Sequence, residues 1–315
     1  MIRNKKYVRK SSSQNHKTST HLPTQGCFGL KCKAITVKDA YVQSRNSGRW
    51  RLLLLGGILF CTVAVCVNAV NDLLGARCLL PSNYLVWEAT RPIADCSYCA
   101  HVTEPLILHN VTREIFKKYA YSSKPIIVKN SIGHWRAVKE FNYNLFKKLY
   151  DETAGSYESL EEGCQFLNFK SDLFSLKDVF SMTTERVKGG PGQKPWYVGW
   201  GNCHQDILKE LRQFYEIPEF LPEDAEFPAT ENIFMGYEIG AVMHLDYIER
   251  LMWQGQLQGT KMWSIAPVPE CDHKCNKFSF YVQPKDIVLL DTRIWYHETR
   301  ILKGEFSITV QSEYG

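Results

Sequence analysis

The sequence predicts an α+β protein with one transmembrane helix, in which helices come first and a strand-rich half then closes into an antiparallel sandwich or barrel. Three observations predict it. A charge-free apolar run follows a basic N-terminal arm, amphipathic patterns occupy the middle of the chain, and short strands separated by turns follow Pro228. Closely spaced strands of this kind are typical of antiparallel barrels, and helices followed by strands are typical of the α+β class.

The N-terminal arm, residues 1–51, carries all of the chain's excess positive charge. It contains twelve Lys or Arg residues and one acid, Asp39, a net charge of +11, so the rest of the chain carries −6 within the total of +5. The arm has too few apolar residues to build a core and is expected to be disordered. Its positive charge is expected to keep it in the cytosol. Beside a membrane, such a basic run favours anionic lipid, and we expect no nucleic-acid partner.

Residues 52–70 form an apolar run without a charged residue, directly after Arg49, Trp50 and Arg51. At 1.5 Å per residue the run crosses most of a bilayer core of about 30 Å. A cleaved signal peptide is disfavoured because its basic region would be far too long, so a signal anchor is predicted. The positive-inside rule then gives a single-pass type II protein, with its C-terminal part in the endoplasmic reticulum, in the Golgi or at the cell surface.

Residues 71–111, rich in proline, are predicted to be a luminal stalk, and residues 112–315 a globular domain. Asn110 begins a glycosylation sequon, consistent with luminal exposure. Disulfides are favoured over a zinc site because the lumen is oxidising, and the odd number of cysteines leaves at least one thiol free or paired with another chain. The seven cysteines of this part are Cys78, Cys96, Cys99, Cys164, Cys203, Cys271 and Cys275.

Within the domain, hydrophobic periodicity predicts the secondary structure. Helices are expected around residues 115–119, 142–152, 175–183 and 205–215. Strands are expected at residues 125–128, 196–200, 233–237, 256–257, 261–265, 278–281, 286–290 and 306–310.

His244 and Asp246 are candidate metal ligands, because residues two apart on a strand point to the same side. The third candidate is His297, which we expect just after the strand at 286–290, following a turn at 291–296. Two imidazoles and one carboxylate on one face of an octahedral ion leave the remaining positions open. That arrangement suits Fe(II), whereas zinc favours a tetrahedral site.

Lys261 lies among apolar residues at the start of a predicted strand, about fifteen residues after Asp246. A lysine buried there needs a carboxylate partner, because an unpaired charge is costly to bury. The competing interpretation is that Lys261 points outward from an edge strand.

These residues resemble the JmjC and cupin-like family of 2-oxoglutarate oxygenases, which includes the asparaginyl hydroxylase that inhibits hypoxia-inducible factor. The likeness extends over residues 112–315 and implies a double-stranded β-helix, or jelly roll. It also implies that His244, Asp246 and His297 bind Fe(II), with 2-oxoglutarate and dioxygen as co-substrates. Lys261 would bind the C5 carboxylate of 2-oxoglutarate, and Gln311 on the closing strand would help to hold its C1 end.

Two positions depart from the family pattern. The interval from His244 to Lys261 is two residues longer than in the asparaginyl hydroxylase, and Ala241 stands where a co-substrate-binding Thr is common. Hydroxylation of a secretory-pathway or cell-surface polypeptide is the expected function. The alternatives are a catalytically inactive binding or scaffold protein and, from topology alone, a glycosyltransferase, for which the luminal part lacks a D-x-D motif.

Overall fold

A computed structural model describes residues 37–75 and 84–315, in two compact units that divide after Pro81. The first unit contains one long helix, α1 (Val37–Gly75). Its segment Arg49–Asn71 is long and apolar enough to cross a membrane, in agreement with the predicted transmembrane helix. The helix begins at Val37, so the last part of the arm that was predicted to be disordered is helical. Residues 1–36, Cys78 and the stalk residues 76–83 lie outside the described residues.

The helices of the second unit are short and mostly begin at a polar capping residue. The predicted helix at 142–152 is confirmed, because the Asn142 side chain accepts a hydrogen bond from the Leu145 N–H and caps it. In the described residues of this unit the α-helices are α2 (Tyr84–Thr90), α3 (Arg113–Phe116), α4 (Ala137–Glu140), α5 (Tyr143–Glu152), α6 (Ser156–Gly163), α7 (Leu176–Phe180), α8 (Thr184–Val187) and α9 (Gln205–Leu211).

The strands form one large and one small sheet. The large sheet has the order β1-β2-β9-β6-β11-β5-β4-β3, and the small one β10-β7-β8. Pairing is antiparallel except between β1 and β2. The strands are β1 (Leu106–His109), β2 (Ile126–Lys129), β3 (Phe166–Leu167), β4 (Trp196–Asn202), β5 (Glu231–Tyr237), β6 (Leu251–Gln258), β7 (Lys261–Pro267), β8 (Phe278–Val282), β9 (Ile287–Leu290), β10 (Trp295–Ile301) and β11 (Phe306–Tyr314).

The two sheets face each other, because the Lys261 side chain on β7 reaches side chains of β4, β6 and β11 in the large sheet. The helices supply a second apolar layer, in which Phe146 of α5 packs edge-on against Trp200 of β4. The predicted α+β class with a jelly-roll core and preceding helices is therefore confirmed.

Part of the segment that the sequence assigns to the stalk differs from that prediction. β1 lies within residues 71–111, yet it is the edge strand of the large sheet and pairs with β2 over four residues. Residues 96–98 form a 3-10 turn that two disulfides, Cys96–Cys271 and Cys99–Cys275, join to the far end of the domain. These long-range links attach the segment to the domain, and local sequence periodicity carries no sign of them.

Disulfides rather than a zinc site are confirmed for six of the seven cysteines. Besides the two bonds near residues 96–99, Cys164 and Cys203 form a third. The four cysteines whose spacing would also suit a zinc site all form disulfide bonds; they are Cys96, Cys99, Cys271 and Cys275.

Candidate metal centre

The backbone brings His244 and His297 together as an antiparallel bridge. The His244 N–H donates to the His297 carbonyl at 3.1 Å, and the His297 N–H donates to the His244 carbonyl at 2.9 Å. Two details of the prediction were wrong. The turn before His297 ends at residue 294, so that His297 lies within β10, and His244 and Asp246 lie in an irregular connection between β5 and β6 rather than on a strand.

The connection keeps an extended path because neighbouring backbone groups hold it at two points. His244 is fixed by its bridge to β10, and the Asp246 N–H donates to the Thr292 carbonyl at 2.9 Å. The three predicted ligands consequently converge, and one ligand atom from each lies within 4.8 Å of the others. His244 Nε2 is 3.2 Å from Asp246 Oδ1, and His297 Nε2 is 3.7 Å from Asp246 Oδ2.

Both imidazoles are oriented by main-chain carbonyls. His244 Nδ1 lies 2.6 Å from the Val242 carbonyl, and His297 Nδ1 lies 3.3 Å from the Trp295 carbonyl. A carbonyl oxygen only accepts hydrogen bonds, so Nδ1 of each ring is assigned as the donor, and the neutral form of each ring then carries its lone pair on Nε2. Each Nε2 therefore faces Asp246 as a potential metal ligand, in the orientation that such carbonyl contacts commonly give to metal-binding histidines.

The pKa shifts of the two histidines go in opposite directions. Burial lowers the pKa of His297 to about 4, which favours the neutral, ligating imidazole. Burial acts on His244 in the same direction, but its hydrogen bond to Asp246 and the charge of that residue raise the pKa overall. Burial would raise the pKa of Asp246, yet the two histidines lower it, so the carboxylate stays ionised.

Lys261 is fully buried between the two sheets, so its predicted burial is confirmed and the outward-pointing alternative is wrong. Its Nζ donates to the Tyr197 hydroxyl at 2.8 Å, the Thr309 hydroxyl at 3.1 Å and Gln254 Oε1 at 3.3 Å. In the described part of the chain no carboxylate forms an ion pair with it. Burial accordingly lowers its pKa well below the usual value.

Gln311 belongs to the same buried network as Lys261. The Gln254 side-chain amide donates to Gln311 Oε1 at 2.7 Å, and the Oε1 of Gln254 accepts from Lys261. Gln311 therefore connects through Gln254 to the lysine, whereas the family resemblance implied a contact with the C1 end of 2-oxoglutarate.

Two further interior residues were missed at the sequence level. Trp263 lies two residues after Lys261 on β7, and its ring stacks on His297 with centroids 5.6 Å apart. Its buried Nε1–H has no partner among the described residues. Thr299 on β10 accepts a hydrogen bond from the Ala241 N–H at 3.0 Å, so a buried hydroxyl lies beside the position where a threonine was expected. Inward-facing alternation on β7 and β10 was the signal that could have identified both.

Asn110, the predicted glycosylation site, lies away from these interior residues. It is exposed, has a positive φ of 45°, and occupies the turn between β1 and α3. The hydroxyl of the sequon residue Thr112 caps α3 by accepting a hydrogen bond from the Ile115 N–H at 3.4 Å.

The donor set fits a divalent transition metal. It offers two imidazole nitrogens and one carboxylate on one side of a small space, as in the facial triads of non-haem iron proteins. The charge state of the interior also fits an anionic ligand, because Lys261 is a buried amine surrounded by neutral oxygens.

Residues 112–287 match the profile of the cupin-like domain family, more than half of the chain. The chain belongs to the cupin-like domain family. The match contains His244, Asp246 and Lys261 and ends shortly before His297. The resemblance stated from the sequence is thus confirmed at the level of the family.

Solved structures that this chain is similar to include two of YcfD from Escherichia coli, one of them described as a ribosomal oxygenase. One has 14% identity and a TM-score of 0.41 and covers 65% of this chain and 51% of that chain. The other has 13% identity and a TM-score of 0.40, and covers 65% and 53%. The chain thus spans about half the length of the solved structures that it resembles. No curated protein matches it.

Proposed function

We propose that this cupin-like domain is an Fe(II)- and 2-oxoglutarate-dependent oxygenase. The observation that carries the proposal is the convergence of His244, Asp246 and His297, whose ligand atoms lie within 4.8 Å of one another. Two imidazoles and one carboxylate occupy one side of an ion and leave positions for an oxoacid and dioxygen. When bound, Fe(II), 2-oxoglutarate and dioxygen supply the oxidising chemistry and release succinate and carbon dioxide.

The residues of this chain hold and orient these groups. His244, Asp246 and His297 would bind the iron, with each imidazole fixed by a main-chain carbonyl. Lys261 would pair with the C5 carboxylate of 2-oxoglutarate, since its amine has only uncharged acceptors around it. Such a pair, excluded from water, is strengthened by the low dielectric of the interior. Gln311, through Gln254, would keep the lysine in position.

The compartment belongs to the same proposal. A type II orientation would put the domain in the lumen of the endoplasmic reticulum or Golgi or at the cell surface, and the three disulfides are typical of such oxidising compartments. The exposed Asn110 would be glycosylated there, which supports a glycosylation-shift test of topology. A change in electrophoretic mobility that is lost in Asn110→Gln is expected, and an unglycosylated Asn110 in secretory membranes would argue against luminal exposure.

The proposed substrate is a polypeptide of the secretory pathway or cell surface. The net charge of −6 outside the N-terminal arm argues against a polyanionic substrate, because nucleic-acid binding relies on basic surfaces. A luminal location would also separate the domain from nuclear proteins.

The test of the proposed function is succinate formation by the full chain in detergent micelles with Fe(II), 2-oxoglutarate and dioxygen. Wild-type protein is expected to form succinate, and Asp246→Ala is expected to form none because it lacks the only carboxylate ligand. Asp224→Ala, at an exposed aspartate outside the site, is the matched control and should retain wild-type turnover. Metal binding by the wild type without any turnover would instead favour the binding or scaffold function.

A further inference from the structure

A cavity of about 530 Å³ adjoins the candidate metal centre. Asp246 forms part of its wall, together with Tyr247, Arg293 and Ile294. The opposite wall is the segment 87–94, which lies in the region that the sequence assigned to a stalk. A ligand in this cavity would therefore touch one of the three metal-binding residues directly.

The segment 84–99 is fixed firmly enough to act as a preformed wall. Arg91 Nη1 and Nη2 donate to the two carboxylate oxygens of Glu270 at 2.7 Å each, and the Ala94 N–H donates to the same carboxylate at 3.1 Å. The disulfides of Cys96 and Cys99 follow immediately. A bidentate ion pair and two covalent links hold this segment in one geometry.

Aromatic contacts connect the wall to the residues beside the metal ligands. The Trp87 ring stacks on Tyr247, which follows Asp246, with centroids 4.6 Å apart. The hydroxyl of Tyr296, which precedes His297, donates a hydrogen bond to Glu88. The wall is thus built against the neighbours of two of the three ligands.

Each charged group that lines the cavity already has a partner within the chain, and the partner of Asp246 is His244. Arg91 pairs with Glu88 and Glu270, and Arg293 pairs with Asp291. Glu249 lies 3.4 Å from Arg250. A charged ligand would lose its hydration without gaining an uncompensated partner, so the cavity favours an uncharged group. Trp87, Ile93, Tyr247 and Ile294 supply apolar surface for it.

The wall also presents main chain that a peptide could pair with. Ile93 lies between α2 and the turn at Cys96, outside any helix or strand, and its side chain is 87% exposed. Its N–H donates no hydrogen bond to any residue in the described part of the chain. Extended peptides commonly bind by pairing with such free backbone groups while a side chain enters a neighbouring pocket.

We propose that this cavity binds an uncharged, apolar side chain of a polypeptide substrate, next to the residue that is presented to the metal. The inference rests on the proposed oxygenase function and adds a substrate class to it. Segment 84–99, pinned by its disulfides, is the element that sets this preference.

The test is selection of a displayed random decapeptide library on the full chain in micelles, loaded with Mn(II) and 2-oxoglutarate under anaerobic conditions. We expect enrichment of peptides that share an apolar residue at one fixed position of their sequence. Ile93→Asp, which puts a charge at the cavity, should weaken binding of the best peptide at least tenfold. Ile115→Asp is the matched control at an exposed isoleucine of α3 and should change it less than twofold.

Three results would overturn the inference: no enrichment, enrichment of charged peptides, or equal binding by wild type and Ile93→Asp. Binding of dihexanoylphosphatidylcholine in the cavity in place of peptides would also overturn it, in favour of a lipid ligand. Electron paramagnetic resonance of Mn(II) in the same samples separates the two proposals. If the wild type does not bind Mn(II), the proposed function is contradicted. If it binds Mn(II) but the selection enriches no peptide, only the cavity proposal is contradicted.

Discussion

Lys261 is the residue whose environment calls most strongly for a ligand. Its ammonium group is surrounded by the hydroxyls of Tyr197 and Thr309 and the amide oxygen of Gln254, all uncharged. Burying a cation among neutral groups destabilises the folded protein, and a carboxylate from outside would reverse this cost. Lys261 should therefore lower the free energy of unfolding of the ligand-free protein and raise its affinity for 2-oxoglutarate.

Lys261→Met is expected to raise the free energy of unfolding of the ligand-free protein by about 1–3 kcal/mol. Burial lowers the pKa of Lys261 in the folded protein, so this lysine binds its proton more tightly in the unfolded chain than in the folded one. The free energy of unfolding of the wild type therefore rises as pH rises toward the unfolded pKa of about 10.4. The advantage of the variant should therefore be largest at low pH and shrink as pH rises. Urea unfolding at several pH values measures it. Lys194→Met, at an exposed lysine, is the control, and a destabilised Lys261→Met protein would contradict this interpretation.

At the level of elements, the segment 84–99 was wrongly predicted to be part of a stalk, because its local pattern carries no sign of its distant contacts. Its prolines and weak periodicity indicated a linker, and its attachments reach residues more than 170 positions away. β10 was missed for a related reason. Its inward positions alternate, but two of them are His297 and Thr299, polar residues that belong to the site, so the apolar signal of a strand is weak there. α5 and β9 were predictable because a capping Asn and a buried β-branched run encode them locally.

The Arg91–Glu270 pair gives this segment a pH-dependent attachment. The hydrogen bond from Arg91 lowers the pKa of Glu270 to about 2. Because the folded pKa is below the unfolded value of about 4.3, the stabilisation is present above that value and is lost as pH falls toward 2. The difference in unfolding free energy between wild type and Glu270→Gln should accordingly shrink between pH 5 and pH 2.

Denaturant unfolding across this pH range measures that difference. Glu223→Gln, at an exposed glutamate, is the control and should show a smaller pH-dependent difference. If the difference in unfolding free energy between wild type and Glu270→Gln stays constant from pH 5 to pH 2, the ion pair contributes nothing to attachment of the segment.

At the scale of the whole molecule, two adjacent disulfides join the segment at residues 96–99 to the connection between β7 and β8. Cys96–Cys271 and Cys99–Cys275 close nearly the same loop of the chain, with sequence separations of 175 and 176. Either bond alone keeps that loop closed. The first one formed removes most of the loop-closure entropy that the pair can remove from the unfolded chain, and the second closes only a small additional ring.

Removal of one of these bonds, as in Cys96→Ala/Cys271→Ala, is expected to cost about 2 kcal/mol of unfolding free energy. Removal of both should cost more than about 5 kcal/mol, which exceeds the sum of the two single losses. Cys164–Cys203, with a separation of 39, closes a different loop, so its removal should add independently to either change. Denaturant unfolding of the wild type and of each variant under non-reducing conditions measures these losses, and additive losses from the two adjacent bonds would contradict the shared-loop argument.

The central claim is that one site, formed by His244, Asp246, His297 and Lys261, binds a divalent metal and 2-oxoglutarate together. Calorimetric titration of 2-oxoglutarate into the full chain, with and without Mn(II), tests it most directly. We expect metal-dependent binding that is abolished in Asp246→Ala and weakened at least about 30-fold in Lys261→Met, since loss of one member of a buried charge pair costs about 2–5 kcal/mol. Equal binding with and without metal, or wild-type affinity in Lys261→Met, would contradict it.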